Sequence, residues 1–242
     1  MIASRRRLVA ALGLAPLAAA TVPGCGTTDA MTSPADAPAP PTSAPPRVRV
    51  GDRWRYVEVN AYNSERIAEL DCVVVQTGPQ LRVRRADSRG QPRADEVYDG
   101  AWRVVVEPFY DRVQTFVAPL PLLPEPPAPS EAATVRTQYR TDDGPALLDW
   151  QERHEATRWE RIRVPAGEFD ALRIERRIWF THADARRRQS VRVERLWYAP
   201  AVQRWVRREW SGEYLGWPIH RGGPAREDRI VHALLAYAPA AA

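Results

Sequence analysis

The sequence predicts a mainly β protein: a single antiparallel, strongly curved sheet or open barrel, standing after a cleaved signal peptide and a disordered tether. Three observations lead there. From Val48 to Tyr237 the chain is a succession of short apolar–polar alternations of period two, the spacing that puts one face of each strand in a core. Turn residues punctuate them at Asn63-Ser64, Gly78-Pro79, Ser88-Arg89-Gly90, Asp142-Asp143-Gly144 and Ser211-Gly212. No window carries a sustained 3.6-residue period.

The first element is the leader, residues 1–24. Ser4-Arg5-Arg6-Arg7 is a basic head, with Arg5, Arg6 and Arg7 as the export signal, and Leu8 to Val22 is an Ala-rich apolar run of 15 residues. That run is short for a membrane-spanning helix, which needs about 20 apolar residues, and Pro16 interrupts it. The Ser4-Arg5-Arg6 start resembles a twin-arginine export signal, and general secretion is the other route open to it. The run closes on Val22-Pro23-Gly24-Cys25, which resembles the lipobox of bacterial lipoproteins, with Pro23 departing from its usual middle residue. The resemblance implies lipidation of Cys25 and anchoring to a membrane. With Gly26 after the cysteine, it points to the outer membrane, facing the periplasm, and otherwise to a secreted periplasmic protein.

Residues 25–47 form the tether. Its Pro, Ala, Ser and Thr bury too little apolar area to offset the entropy of ordering, so it reads as a semi-stiff spacer, up to about 60 Å long at roughly 3 Å per residue. The remaining stretch, 48–238, is the size of one domain, followed by a tail at 239–242. Without the leader's three arginines the formal charge of +5 falls to +2, and the basic residues, all Arg, alternate with apolar and acidic ones as in Leu172-Arg173-Ile174-Glu175. That pattern excludes the one-sided basic patch of a nucleic-acid binder.

Within the domain, Val48 to Tyr56 sets Trp54 and Tyr56 on one face. Strands are then expected over 66–76, 80–86, 101–107, 113–118, 134–140, 153–164, 170–180, 190–198, 202–210 and 229–237. The stretch 119–130 holds six prolines with Leu120, Leu122 and Leu123, and is expected to stay out of the sheet as a strap closing one end of the core. At Val164-Pro165-Ala166-Gly167, Pro165 presets a turn dihedral and Gly167 supplies positive φ, which joins two strands as a hairpin.

Gly51-Asp52-Arg53-Trp54-Arg55-Tyr56, the Val164 to Ala171 turn, and Trp197-Tyr198-Ala199-Pro200 followed by Val202 and Arg204 together resemble a family of secreted Gram-negative β domains of unknown function. The resemblance implies a curved antiparallel sheet akin to the open barrels of lipoprotein carriers, and no reaction.

Candidates for chemistry are few. His154, His182, His220 and His232 lack metal-ligand spacing, and His182-Ala183-Asp184 reads as a hairpin tip beside Arg186, Arg187 and Arg188, so no metal and no cofactor are expected. Cys72 in Asp71-Cys72-Val73-Val74-Val75 reads as a buried thiol. No nucleophile elbow is present, and no catalytic residue is assigned. The tryptophans carry the sharper expectation: Trp54, Trp179, Trp197 and Trp205 are proposed to line a groove for an apolar ligand. The expected protein is therefore a non-enzymatic envelope lipoprotein, with the membrane as partner through its anchor, a lipid or an envelope protein as ligand, and no nucleic acid. A structural partner of an envelope complex and a hydrolase are the other readings.

Overall fold

The computed structural model describes residues 34–39, 44–100, 102–216 and 223–241. The leader, with Arg5, Arg6, Arg7 and the lipobox Cys25, lies outside them, as does His220.

Among the described residues, fourteen strands follow in order: β1 (Ala35–Asp36), β2 (Arg53–Asn60), β3 (Glu65–Gln76), β4 (Leu81–Asp87), β5 (Pro92–Tyr98), β6 (Arg103–Glu107), β7 (Gln114–Pro121), β8 (Ala133–Thr141), β9 (Gly144–Val164), β10 (Gly167–Phe180), β11 (Arg187–Ala199), β12 (Arg204–Gly216), β13 (Ala225–Arg226) and β14 (Ile230–Ala238). The strongly curved antiparallel sheet expected from the sequence is present and goes fully round. β9, β10, β11, β12, β14, β2, β3, β4, β5, β6, β7 and β8 pair in that sequence, and β8 returns to β9 from Ala133↔His154 to Thr141↔Gly144, closing a 12-strand barrel. β1 and β13 are short additions to β9 and β12. Closure removes most of the unpaired edge that an open sheet would expose, leaving β9 beyond His154 and β7 beyond Phe116 without a barrel strand on one side.

The two ends of the domain meet where β14 pairs β2, from Ile230↔Asn60 to Ala238↔Arg53. Gly51-Asp52 locks this seam. Gly51 takes φ +98°, a value open to glycine, and donates its N–H to the Val74 carbonyl at 2.9 Å. The Asp52 carboxylate accepts from the Arg49 and Ala240 amides, both at 2.8 Å, so one side chain holds the start and the end of the domain together. The Val164/Gly167 hairpin forms as expected, with Gly167 at φ +129°, and its tip donates the Ala166 N–H to the Leu234 carbonyl.

Four expectations need correction. β5 was not among the expected strands, because Arg93, Asp95 and Glu96 make it read as polar. β9 begins at Gly144, well before residue 153. Pro119 and Pro121 enter β7, which pairs β8 only from Gln114 to Phe116, so their missing N–H groups fall where β8 asks for no bond. Leu120, Leu122 and Leu123 are nonetheless buried, as expected of a strap over the core.

Ser211-Gly212 is not a turn: it lies inside β12, and its glycine is explained by close approach. A Cβ on Gly212 would stand 2.1 Å from Glu227 Oε2, on the carboxylate that grips Arg192 with bonds of 2.6 and 3.0 Å. Gly212→Ala is therefore expected to push Glu227 off the buried Arg192 and cost about 1–3 kcal/mol, measured by urea unfolding. An unchanged midpoint would show that Glu227 relocates without loss.

Candidate functional site

The barrel interior is occupied by its own charged side chains. One end is organised around Arg204, which is wholly buried. Its guanidinium bonds both oxygens of the equally buried Glu96, at 2.7 and 2.5 Å. Aromatic rings surround it: its Cζ lies 4.2 Å from the Trp205 ring centroid, 5.0 Å from Trp54, 5.2 Å from Trp102 and 5.6 Å from Tyr56. A cation stripped of water is stabilised here by an opposite charge and by the negative faces of these rings. Burial opposes ionisation of Glu96, yet Arg204 and Arg85, with bonds from Arg204 and Tyr98, outweigh it and hold the carboxyl below its ordinary value.

The same aromatics fix the chain that delivers Arg204. Trp54 Nε1 donates to the Val202 carbonyl at 2.8 Å, Trp102 Nε1 to Gln203 at 2.9 Å, and the Tyr56 hydroxyl to Trp205 at 2.7 Å. Pro200–Val202 is a 3-10 turn rather than the start of a strand, and Gln203 after it takes φ +60°. Two of the three sequence motifs therefore meet in one clasp: Gly51-Asp52-Arg53-Trp54-Arg55-Tyr56 grips the chain that follows Trp197-Tyr198-Ala199-Pro200. Cys72 also belongs to this layer. Its Sγ lies 4.0 Å from Glu96, and burial pushes the thiol up to about 11, so it is an inert core residue.

A second layer crosses the barrel. Arg176 on β10 pairs with Glu194 on β11 and with Glu152 on β9 at 2.6 Å. Arg208 on β12 also pairs with Glu194, and reaches Glu107 on β6 at 2.6 Å. All five groups are buried, two cations among three carboxylates. Burial pushes Glu107 up, whereas Glu194 lies low because Arg208 and Arg176 outweigh its own burial. The ladder joins β6 to β9, β10, β11 and β12 by charge pairs, where a purely apolar barrel would have only side-chain packing.

The third layer opens to solvent. A cleft of about 370 Å³ is lined in part by Tyr110, Asp111, Arg187, Arg192, Tyr214 and Glu227. Asp111 receives His182 at 3.1 Å and Arg187 at 3.3 Å, with Arg192 at 3.7 Å. The bond from His182 lowers Asp111 to about 2. His182 Nδ1 accepts the Asp184 amide at 2.9 Å, so the ring proton sits on Nε2 and points at Asp111. Both ring nitrogens are thus engaged, which leaves no lone pair to activate a nucleophile. Among the described residues, no three His, Cys, Asp or Glu side chains come together as a metal site.

The four tryptophans expected to line one apolar groove do not share one. Trp54 and Trp205 are buried around Arg204. Trp197 is buried elsewhere, with Nε1 donating to Glu160 at 2.7 Å and Arg207 over its ring at 5.2 Å. Trp179 is half-buried in a shallow surface groove with Trp150 and Phe180. Although β10 and β11 are neighbours, Trp179 sits opposite Val191 and Trp197 opposite Arg173. At the neighbouring hairpin tip, Arg187 reaches Asp111 and lies over the Tyr214 ring at 4.9 Å.

No protein-family model and no curated protein matches the chain. Two solved structures align with it: a candidate lipoprotein of Parabacteroides distasonis, at 13% identity and a TM-score of 0.48, covering 78% of this chain and 96% of that one; and a candidate exported protein with a YmcC-like fold from Bacteroides fragilis, at 11% and 0.42, covering 81% and 100%.

Two predictions follow from the buried groups. Glu96→Gln leaves Arg204 without its countercharge and is expected to cost about 3–5 kcal/mol in denaturant unfolding, most of it recovered when Arg204→Met is added. Equal losses in the single and double variants would contradict the pairing. The second concerns acid. His232 is buried, and burial holds it below its ordinary value even though Glu58 stands 3.1 Å away. His154 is held down by burial as well. The unfolded chain then takes up protons that the folded one refuses, so stability is full above about pH 6.5 and falls as pH drops through the folded values. Burial also opposes the charge of Glu58, but the bond and charge of His232 outweigh it and hold its carboxyl low, which adds a further loss in more acidic solution. His232→Gln should flatten the decline of Tm between about pH 7 and 5; an unaltered slope would assign it to other groups.

Proposed function

We propose that the chain is an envelope lipoprotein, held in the outer membrane through Cys25 and facing the periplasm. Its barrel acts without catalysis, as a recognition module for another envelope protein. The observation that carries this reading is the filled interior. Arg204 in its aromatic box and the ladder from Glu107 to Glu152 occupy the space an acyl chain would need, so recognition falls to the outer surface. The polar cleft at Asp111 and Arg187 offers fixed charges of both signs and two tyrosine rings, which suits a polar, charged protein segment better than a lipid tail. The leader, the lipobox-like cysteine and the proline-rich stretch after it supply the address.

A second reading keeps an apolar ligand, in the shallow groove of about 410 Å³ beside Trp179, Trp150 and Phe180. It needs only one of the four tryptophans first assigned to it.

Intact-mass analysis of the mature protein tests the anchor. The wild type should carry acyl mass on Cys25 and partition with membranes, and Cys25→Ala should lose both; an unmodified soluble wild type would end the reading. A photo-crosslinking residue in place of Tyr214, used in native membranes, should give one discrete adduct that Arg187→Glu weakens at least about tenfold, the scale of one lost charge-assisted contact. Adduct formation indifferent to Arg187→Glu would move recognition away from the cleft. A stoichiometric lipid in the mass spectrum of the Cys25→Ala protein, lost on Trp179→Ala, would favour the second reading.

A further inference from the structure

β9 outlasts one of its neighbours. β10 pairs it as far as Val164, but the β8 pairing ends at His154, so the stretch from Glu155 to Val164 lacks a barrel strand on its second side. Closed barrels have no such edge, and an uncovered one is a template for foreign strands. Here it is covered in pieces by the chain itself. The Ser130 N–H donates to the Ala156 carbonyl at 2.8 Å, and the Ala37 N–H to that of Trp159 at 3.1 Å. Ala35 and Asp36 stand opposite Arg161 and Glu160 as β1, and the Asp36 carboxylate lies 3.4 Å from Arg158.

The residue pattern of this stretch, Pro34-Ala35-Asp36-Ala37-Pro38, fits the task. In an antiparallel ladder, alternate residues turn their N–H and C=O to the same side. Ala37 points at β9, and Ala35 with it; Pro34, Asp36 and Pro38 then have their nitrogens on the outer side. Two of those three carry no N–H, so the outer edge of β1 offers little to any further strand. The Ala37 side chain packs against the core as well. Farther on, Pro45 and Pro46 line a pocket with Leu123 and Pro124, and the Arg47 amide donates to Gln203 Oε1 at 2.6 Å.

We infer that residues 34–38 are a docking strand that ties the tether to β9, covers the middle of its open edge and sets where the membrane anchor leaves the domain. Together with the proposed anchor at Cys25, on which this second part rests, it changes the expected reach. Eight residues, Gly26 to Ser33, separate the anchor from the docked strand. Fully extended they span at most roughly 30 Å, against the roughly 60 Å expected of a free tether. The barrel is therefore held close to the bilayer and attached from its β9 side.

The docking strand is tested first without lipid, in the otherwise full-length Cys25→Ala protein. Hydrogen exchange should find the Ala35 and Ala37 amides protected at least about tenfold relative to an unstructured peptide of the same sequence, and Ala37→Pro should abolish protection at Ala35. Free exchange at both amides would overturn the docking strand. The reach is then read on the lipidated wild type in vesicles, by energy transfer from a dye on Glu168→Cys, at the β9–β10 hairpin, to acceptors in the bilayer. Ala37→Pro should lower the transfer; unchanged transfer would overturn the tethering role. Wild type that never associates with the vesicles would instead defeat the anchor, leaving the exchange result to decide the strand.

Discussion

The structure depends on one requirement: a guanidinium sealed inside a protein must find a full set of substitutes for water. Arg204 meets it through Nη2 on the Glu96 carboxylate and through four aromatic faces, while its buried Nε and Nη1 have no hydrogen-bond partner among the described residues and depend on those rings. Those partners come from distant parts of the chain, Trp54 and Tyr56 from β2, Glu96 from β5, Trp102 from the turn before β6, and Trp205 from β12. Satisfying one cation therefore fixes the relative placement of four segments. An apolar residue at 204 would make weaker demands, since apolar contacts tolerate displacement and charge pairs with hydrogen bonds do not. The ladder of Arg176 and Arg208 repeats the device across the barrel, so the interior is specified by charge pairs as much as by apolar volume.

That device also decided what could be read from the amino-acid order. The alternation that places Trp54 and Tyr56 on one face is legible, as are the Pro165-Ala166-Gly167 hairpin and most strands, because each rests on neighbours in sequence. Arginine read as surface is right for Arg173 and wrong three residues on, where Arg176 faces the interior. Glu96 hid β5 for the same reason: a charged residue on the buried face erases the alternation that marks a strand. Barrel closure was out of reach because β8 and β9 also form an ordinary hairpin, and nothing in their sequence says that β9 continues to a second partner on its other side. The four tryptophans were grouped by residue type, which does not show that three of them pack against the protein's own arginines and carboxylates.

A barrel filled in this way has consequences for how it acts. On the proposed reading, recognition falls to the cleft, where Asp111, His182, Arg187 and Arg192 hold one another in place, and to the outer faces of the strands. Fixed charges at a cleft favour orientation and partner choice over raw affinity. A domain moored at β9 by a short leash would present that cleft in a restricted set of orientations, which suits an assembly role at a membrane better than free diffusion.

The central claim is that the interior is self-filled, and nitrogen NMR of the arginine side chains tests it most directly. The account predicts slowly exchanging Hε resonances for Arg176, Arg204 and Arg208, unmoved by a saturating long-chain fatty acid. Rapid exchange of these protons, or a saturable shift of all three on adding the fatty acid, would show an interior open to water or to ligand and would contradict it.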